Sequence, residues 1–491
     1  MLIKFRIFIY FTFLFFVVII FLKQFQLHGM TDSTYYLQPL YNMFNMHSIG
    51  ISIDGGLNNF LGDHFNPYLF LFIPFAGFMS PIIFLYFLLI TAYLPFFIIL
   101  YNLYEYRKNT FYDILLFFIF IFSIPTLFFN FYLNYNGYHP VVFAPMLILS
   151  YYYLLVEESP KKSILFFLPF LLIKEEFWLI FIFFAFALFI RYKQKKYFLL
   201  AFINLLLFIG LYKYMAYING GEQIHNSYYV YLYNVDSISD FIDSFMSLDF
   251  LNRRMLFMSL FFVPFLVIID FKRISFRDLV TTILIIGPTF AYCFLSKQTP
   301  MSYWLFEHYS LPVLPIILTL VIKYGIFSKK RMLLFISINI LLIIAVISQK
   351  QPWQYKYYQD EKQLLKNIMP KLDLEYSDFL LSDDRTGVYF SQYQVDYISL
   401  KSVLNSKYGN PKYIVINTRY TYSAINLKYD AEKMLSSYEY VNQFNMVNNF
   451  KLIYKKYPFL IFEYKDGYSF ELDNYELDNW DKKTVESNKW F

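Results

Sequence analysis

Four stretches of this sequence run for a bilayer's worth of residues with almost no charge: Ile7 to Leu22, Ser80 to Tyr101, Phe111 to Leu133 and Leu333 to Ser348. An apolar helix of ~18 or more residues matches the ~30 Å hydrocarbon core of a bilayer. Several such blocks in one chain exclude an ordinary water-soluble core. Composition agrees: 58% of the 491 residues are apolar and 16% are charged, against about 25% charged in soluble domains.

Read along the chain, the expected spans lie at roughly 5–22, 80–101, 111–133, 140–156, 163–173, 177–190, 197–215, 256–270, 278–295, 311–327 and 332–348. The pair 163–173 and 177–190 is too short to cross without tilt or thinning. The charged triplet Lys174-Glu175-Glu176 separates it, so it reads as a broken or re-entrant pair. Asn66 to Met79 is apolar but bounded by prolines, and reads as an interfacial segment. Lys4 and Arg6 precede an apolar run as in a signal peptide, yet no small-residue cleavage site follows, so this block reads as an uncleaved first span.

Cationic loops set the expected orientation. With the N-terminus in the cytoplasm, 17 Lys and Arg positions fall on that side and 6 on the other before residue 349. The positive-inside rule selects this arrangement. An odd span count then puts residues 349–491 outside. That region is more charged. Tyr413 to Asn417 and Phe459 to Tyr464 read as strands, Ser377 to Leu381 and Gln394 to Leu400 as further candidates, and Asp360 to Met369 as an amphipathic helix. The expected fold is an α-helical polytopic membrane protein of about eleven spans, 1–348, with a long first external loop at 24–66 and a small extracytoplasmic α/β domain at 349–491.

Other function classes find no support. The net charge of +6 reports loop topology rather than an acidic partner, and no nucleic-acid partner is expected. The single Cys293 forms neither an internal disulfide nor a cysteine-based metal site. No Gly-rich phosphate loop of the P-loop or dinucleotide type is present. The 62 Phe and 49 Tyr residues read as compositional bias.

Polar groups at the external span ends are the chemical candidates, because ionisable groups at such depth are costly unless paired or solvated. The first external loop carries Asp32, then Asp54-Gly55-Gly56, then Asp63-His64; the next turns carry His139, Lys174-Glu175-Glu176 and Glu307-His308. Each has a plainer reading. Asp32 reads equally as a helix cap, Asp63-His64 as a cap for the apolar segment that follows, His139-Pro140 as a turn, and Lys174 as the local partner of a neighbouring glutamate. Asp63 and His64 together also suit a divalent cation such as Mg or Mn. Asp383-Asp384-Arg385 reads as a turn rather than a metal pair.

The motifs Asp32-Ser-Thr-Tyr-Tyr-Leu-Gln38, Asp63-His64-Phe-Asn-Pro67, Tyr138-His139-Pro140, Lys174-Glu175-Glu176 and His308-Tyr309-Ser-Leu-Pro312 occur in that order. Together they resemble an uncharacterised prokaryotic membrane-protein family, domain of unknown function 2079, over roughly residues 1–460. That family usually has Asp-Leu-Gly at Asp32-Ser33-Thr34 and often Lys-Glu-Asp at Lys174-Glu175-Glu176; neither departure removes a carboxylate. Its layout is similar to the GT-C class of membrane glycosyltransferases, which take sugars from polyprenyl-phosphate carriers at the membrane surface. The resemblance implies Asp32 as the base for an acceptor hydroxyl. It implies Asp63, His64 and Glu175 on the phosphate side, with or without a divalent cation, and His139, Lys174, Glu176, Glu307 and His308 as further substrate-binding groups. The implied partners are the lipid bilayer, a polyprenyl-phosphate-linked sugar and an unidentified acceptor. Two rivals stand beside this reading. A transporter or flippase for a lipid-linked or anionic solute would place charges near the midplane, often on paired discontinuous helices. A non-catalytic assembly protein would leave the external polar groups scattered.

Overall fold

A computed structural model of the chain describes residues 31–51, 59–62, 64–104, 119–121, 123–127, 138–218, 260–295, 310–349, 359–382, 386–397, 410–417, 449–456 and 459–466. The expected span 5–22, most of 111–133, and the candidate residues Asp54, Asp63, Glu307, His308, Asp383, Asp384 and Arg385 lie outside the described residues.

The described chain is helical up to residue 368 and ends in a sheet. Helix α1, Thr31–Met46, occupies part of the stretch expected as an external loop. Tyr36, Leu37, Leu40 and Tyr41 on it are buried. Their spacing gives one apolar stripe with neighbours three to five positions apart. A 3-10 turn, Pro67–Phe72, and a short helical turn, Ile73–Ala76, follow. Leu71 and Phe78 are exposed there, as suits a segment lying along a bilayer surface.

Helix α2, Pro81–Tyr104, is followed, beyond a 3-10 helix Pro140–Leu147, by α3, Ile148–Leu155. Pro145 inside this stretch lacks the amide hydrogen that would bond back to the preceding turn of an α-helix, and the chain takes the tighter 3-10 path there. Because 3-10 rises ~2.0 Å per residue against ~1.5 Å, this composite of two eight-residue pieces reaches about 28 Å. Helix α4, Pro160–Phe167, continues as 3-10 through Leu168–Leu172, and α5, Glu176–Tyr192, returns. Phe167 packs on Phe181 and Phe184 across this hairpin. The broken pair expected from the charged triplet is thus two helical arms joined through Ile173, Lys174 and Glu175.

Helix α6, Lys195–Ile218, and α7, Phe276–Leu295, both pack on α5. Helix α8, Leu314–Tyr324, packs on α3, and α9, Lys329–Gln349, closes the helical part. Among the described residues, Pro81–Leu103 and Lys195–Ile218 are long and apolar enough to cross a membrane by length and composition. Helix α6 leaves Phe198, Leu199, Phe202, Ile203, Leu206 and Leu207 exposed on its surface. An exposed apolar face of that extent matches lipid rather than water.

The C-terminal part is a five-stranded sheet of order β2-β1-β3-β5-β4. Its strands are β1 Phe379–Ser382, β2 Gln394–Tyr397, β3 Tyr413–Asn417, β4 Phe450–Lys456 and β5 Phe459–Tyr464. β1 pairs in parallel with β2 and β3, whereas β5 runs antiparallel to β3 and β4. Every residue of β1 and β3 is buried, as central parallel strands require. Helix α10, Gln359–Ile368, covers one face with Leu365 and Ile368 against Leu380, Val415 and Ile461.

Candidate functional site

The candidate site gathers three segments that are far apart in sequence. The first is the N-terminal half of α1, the second is the stretch around His64 before the interfacial turn, and the third is the tip of the α4–α5 hairpin. Glu175 ties two of them together. One carboxylate oxygen lies 3.2 Å from His64 Nδ1, and the other accepts the Phe65 backbone N–H at 3.0 Å. Glu175 is 3% exposed, so both contacts are made inside protein. A buried carboxylate demands such partners.

The triplet divides its charges. Lys174 pairs with Glu176, Nζ to Oε1, at 2.7 Å. Glu176 opens helix α5, where a carboxylate complements the positive end of the helix dipole. Glu175 reaches across to the imidazole instead.

Aromatic rings bring in α1. Tyr36 stacks on His64 with centroids 5.7 Å apart and meets the His139 ring at 5.6 Å. Tyr35 meets the His64 ring edge-on at 5.5 Å. Ser33 Oγ accepts the Tyr138 backbone N–H at 2.9 Å, which fixes the approach to His139, and the Tyr138 and Tyr68 hydroxyls share a hydrogen bond of 2.7 Å. Asp32 lies in the first turn of α1, four positions before Tyr36.

Of the residues singled out in the sequence, His64 and His139 therefore both meet Tyr36, Glu175 meets His64, and Asp32 occupies the same helix as Tyr36. Lys174 and Glu176 form the adjoining ion pair. Asp63 is adjacent in sequence to His64 but lies outside the described residues, as do Glu307 and His308. Ser310, just after that motif, donates its hydroxyl hydrogen to Thr126 Oγ1 at 3.0 Å. Among the described residues no three His, Cys, Asp or Glu side chains are grouped to hold a metal ion.

Sequence reasoning missed Tyr36, Tyr138 and Ser33. In a chain with 49 tyrosines a single ring carries no distinguishing signal. The available clue was position: all three sit within motifs already marked by an acidic or imidazole neighbour.

A second polar cluster occupies the opposite end of α5. Arg191 Nη1 donates to the Asp278 carboxylate, and Nη2 donates to Glu158 at 2.9 Å. Lys323 reaches the second oxygen of Asp278 at 2.8 Å, and the Tyr324 hydroxyl donates to the same oxygen. The ends of α5, α7 and α8 are thereby clamped.

No curated protein matches this sequence. The family model described as "Predicted membrane protein (DUF2079)" matches residues 23–368, which runs from ahead of the described site through helix α10 and ends before the sheet. Residues 369–460, to which the motif resemblance was extended, lie beyond that match. With 346 of 491 residues covered, the chain belongs to the DUF2079 family of predicted membrane proteins.

Proposed function

We propose that this membrane protein is a GT-C-like glycosyltransferase, moving a sugar from a polyprenyl-phosphate carrier to an extracytoplasmic acceptor. It is read as a multi-pass protein of about eleven spans, with the N-terminus in the cytoplasm and residues 349–491 outside. The observation that carries the proposal is the contact of His64 and His139 with Tyr36, on the helix that has Asp32 in its first turn, together with the hold of Glu175 on His64.

In this reading Asp32 takes the proton from the acceptor hydroxyl as its oxygen attacks the anomeric carbon. The bond from that carbon to the carrier phosphate breaks, and polyprenyl phosphate leaves with the bonding electron pair. Developing charge on the phosphate needs a nearby cation or hydrogen-bond donor. Glu175 holds His64 through Nδ1 and so acts as a positioning residue, orienting Nε2 as the working nitrogen of the ring. His139, across Tyr36, is a second donor. A carboxylate behind an imidazole is also the outer-shell pattern of metal-bound histidine. This reading assigns a divalent cation to His64 and Asp63, and the cation would supply charge neutralisation at the phosphate. Lys174 and Glu176 hold the hairpin tip on which Glu175 sits.

The test incubates membranes with labelled polyprenyl-phospho-sugars and follows loss of the label from the carrier. The Asp32→Asn variant is expected to lose transfer by at least about a hundredfold, the scale of general-base catalysis, with membrane insertion unchanged. A fully active Asp32→Asn protein removes the base assigned here. Movement of intact carrier across the bilayer without sugar release identifies a flippase instead. Chelation of divalent ions reports the cation: activity that survives complete chelation leaves the imidazoles as the phosphate-side groups.

A further inference from the structure

Where the C-terminal end of α1 meets the sheet there is an open cleft of about 580 Å³, formed by Met46, the loop Leu374 to Ser377, and Gln392 with Tyr393. That volume lies within the ~300–1,000 Å³ range of small-molecule sites. Tyr376 and Tyr393 present a pair of nearly parallel rings, with centroids 6.2 Å apart and planes 26° from parallel. The Glu375 carboxylate, the Ser377 hydroxyl and the Gln392 amide border them, and among the described residues no Lys, Arg or His lines the cleft.

The backbone carbonyls of both tyrosines accept hydrogen bonds from side-chain amides. The Gln394 side chain donates to Asn42 Oδ1 on α1 at 2.8 Å and to the Tyr376 carbonyl at 3.4 Å. Gln38 on α1 donates to the Tyr393 carbonyl at 2.9 Å. Asn42 in turn donates to the Gly50 carbonyl at 2.7 Å. The loop is pinned at its other side, where Asp378 accepts the Glu375 backbone N–H at 2.7 Å and the Lys412 ammonium at 2.8 Å. The rings therefore stand on a braced platform while Tyr376 remains half exposed.

We propose that this cleft binds a neutral oligosaccharide. Flat aromatic faces take the apolar C–H faces of pyranose rings, and a carboxylate, an amide and a hydroxyl at the border take ring hydroxyls as donors and acceptors. A single carboxylate with no cation disfavours phosphate and other anionic ligands. The cleft lies at the far end of α1 from Asp32, up to about 21 Å along a sixteen-residue helix. A ligand in contact with both ends is a chain of sugars rather than a monosaccharide. Its service as the distal part of the acceptor rests on the transferase reading; the binding itself does not.

The experiment uses the full chain in phospholipid nanodiscs free of sugar-based detergent, applied to an array of neutral and anionic oligosaccharides. Retention of neutral chains is expected, weakened about tenfold in Tyr376→Ala and reduced in Gln392→Ala. Unchanged thermal unfolding certifies that each variant is folded. Retention of no glycan, or of anionic glycans alone, overturns the proposal, and so does binding that neither cleft variant alters. Binding without any sugar transfer sinks the enzyme assignment and leaves the cleft standing; transfer without binding does the reverse.

Discussion

Glu175 is the residue on which the external cluster turns, because it satisfies two donors from a segment more than a hundred positions away in sequence. Glu175→Ala leaves the Phe65 N–H and the His64 imidazole without that acceptor inside protein, which costs about 1–3 kcal/mol. A lowered unfolding temperature in nanodiscs is the expected result. Glu175→Gln keeps one carbonyl acceptor but presents an amide donor to the other group. It is expected to destabilise less, while reducing transfer, since the charge that orients the His64 ring is gone. Equal activity of Glu175→Gln and the unmodified protein would show that His64 needs no carboxylate behind it. The sequence marks Glu175 because three adjacent charges between apolar runs demand an explanation. It does not reveal which of them pairs with Lys174. Either glutamate is within reach of the lysine along the chain, and only the fold, by bringing His64 to Glu175, leaves Glu176 for Lys174.

At the scale of elements, the apolar runs are legible in the sequence and the places where they depart from α-helix only half so. The prolines and the charged triplet mark the interruptions, but hydropathy does not distinguish a 3-10 stretch from α-helix. Helix α1 looks like loop in the sequence because it carries Asn, Gln and Pro39 among its apolar residues; burial of its tyrosine and leucine stripe decides otherwise. The clamp joining α5, α7 and α8 is visible there only as a cationic topology signal. Asp278 accepts from Arg191, Lys323 and Tyr324 with its side chain 1% exposed. Asp278→Ala removes the buried carboxylate and leaves the buried Arg191 guanidinium with Glu158, which is expected to lower stability by less than the about 3–5 kcal/mol of a wholly unpaired buried charge. Replacing the buried pair by Asp278→Leu with Arg191→Met is expected to recover part of that loss, because the buried guanidinium is then gone from the interior. Thermal unfolding of the single and double variants measures the coupling. A double variant less stable than Asp278→Ala would show that the clamp works through Lys323 and Tyr324 rather than through the arginine.

For the whole molecule, the position of the two polar clusters matters more than either cluster alone. Glu175 and Arg191 stand at opposite ends of α5, sixteen positions apart, or about 24 Å along an α-helix. One apolar helix, close to the hydrocarbon thickness, therefore separates the imidazole and carboxylate cluster from the cationic one. That spacing is what the cationic-loop argument requires if the first faces outward and the second faces the cytoplasm. Most of the sheet is readable from its apolar strands, but β4 is not, because Lys451, Lys455 and Lys456 interrupt its apolar residues. Its place at the edge of the sheet explains them, since lysines on an edge strand oppose pairing with other chains. β2 contacts α1, the helix with Asp32 in its first turn, and the proposed orientation has both outside the cytoplasm. Single cysteines in a Cys293→Ser background test this arrangement. Ser377→Cys is expected to react with an impermeant maleimide in intact cells, and Lys195→Cys only after the cells are permeabilised. If both react from the same side, residues 349–491 and the Lys195 end of α6 share one side of the membrane, and the orientation on which the proposed site depends is lost.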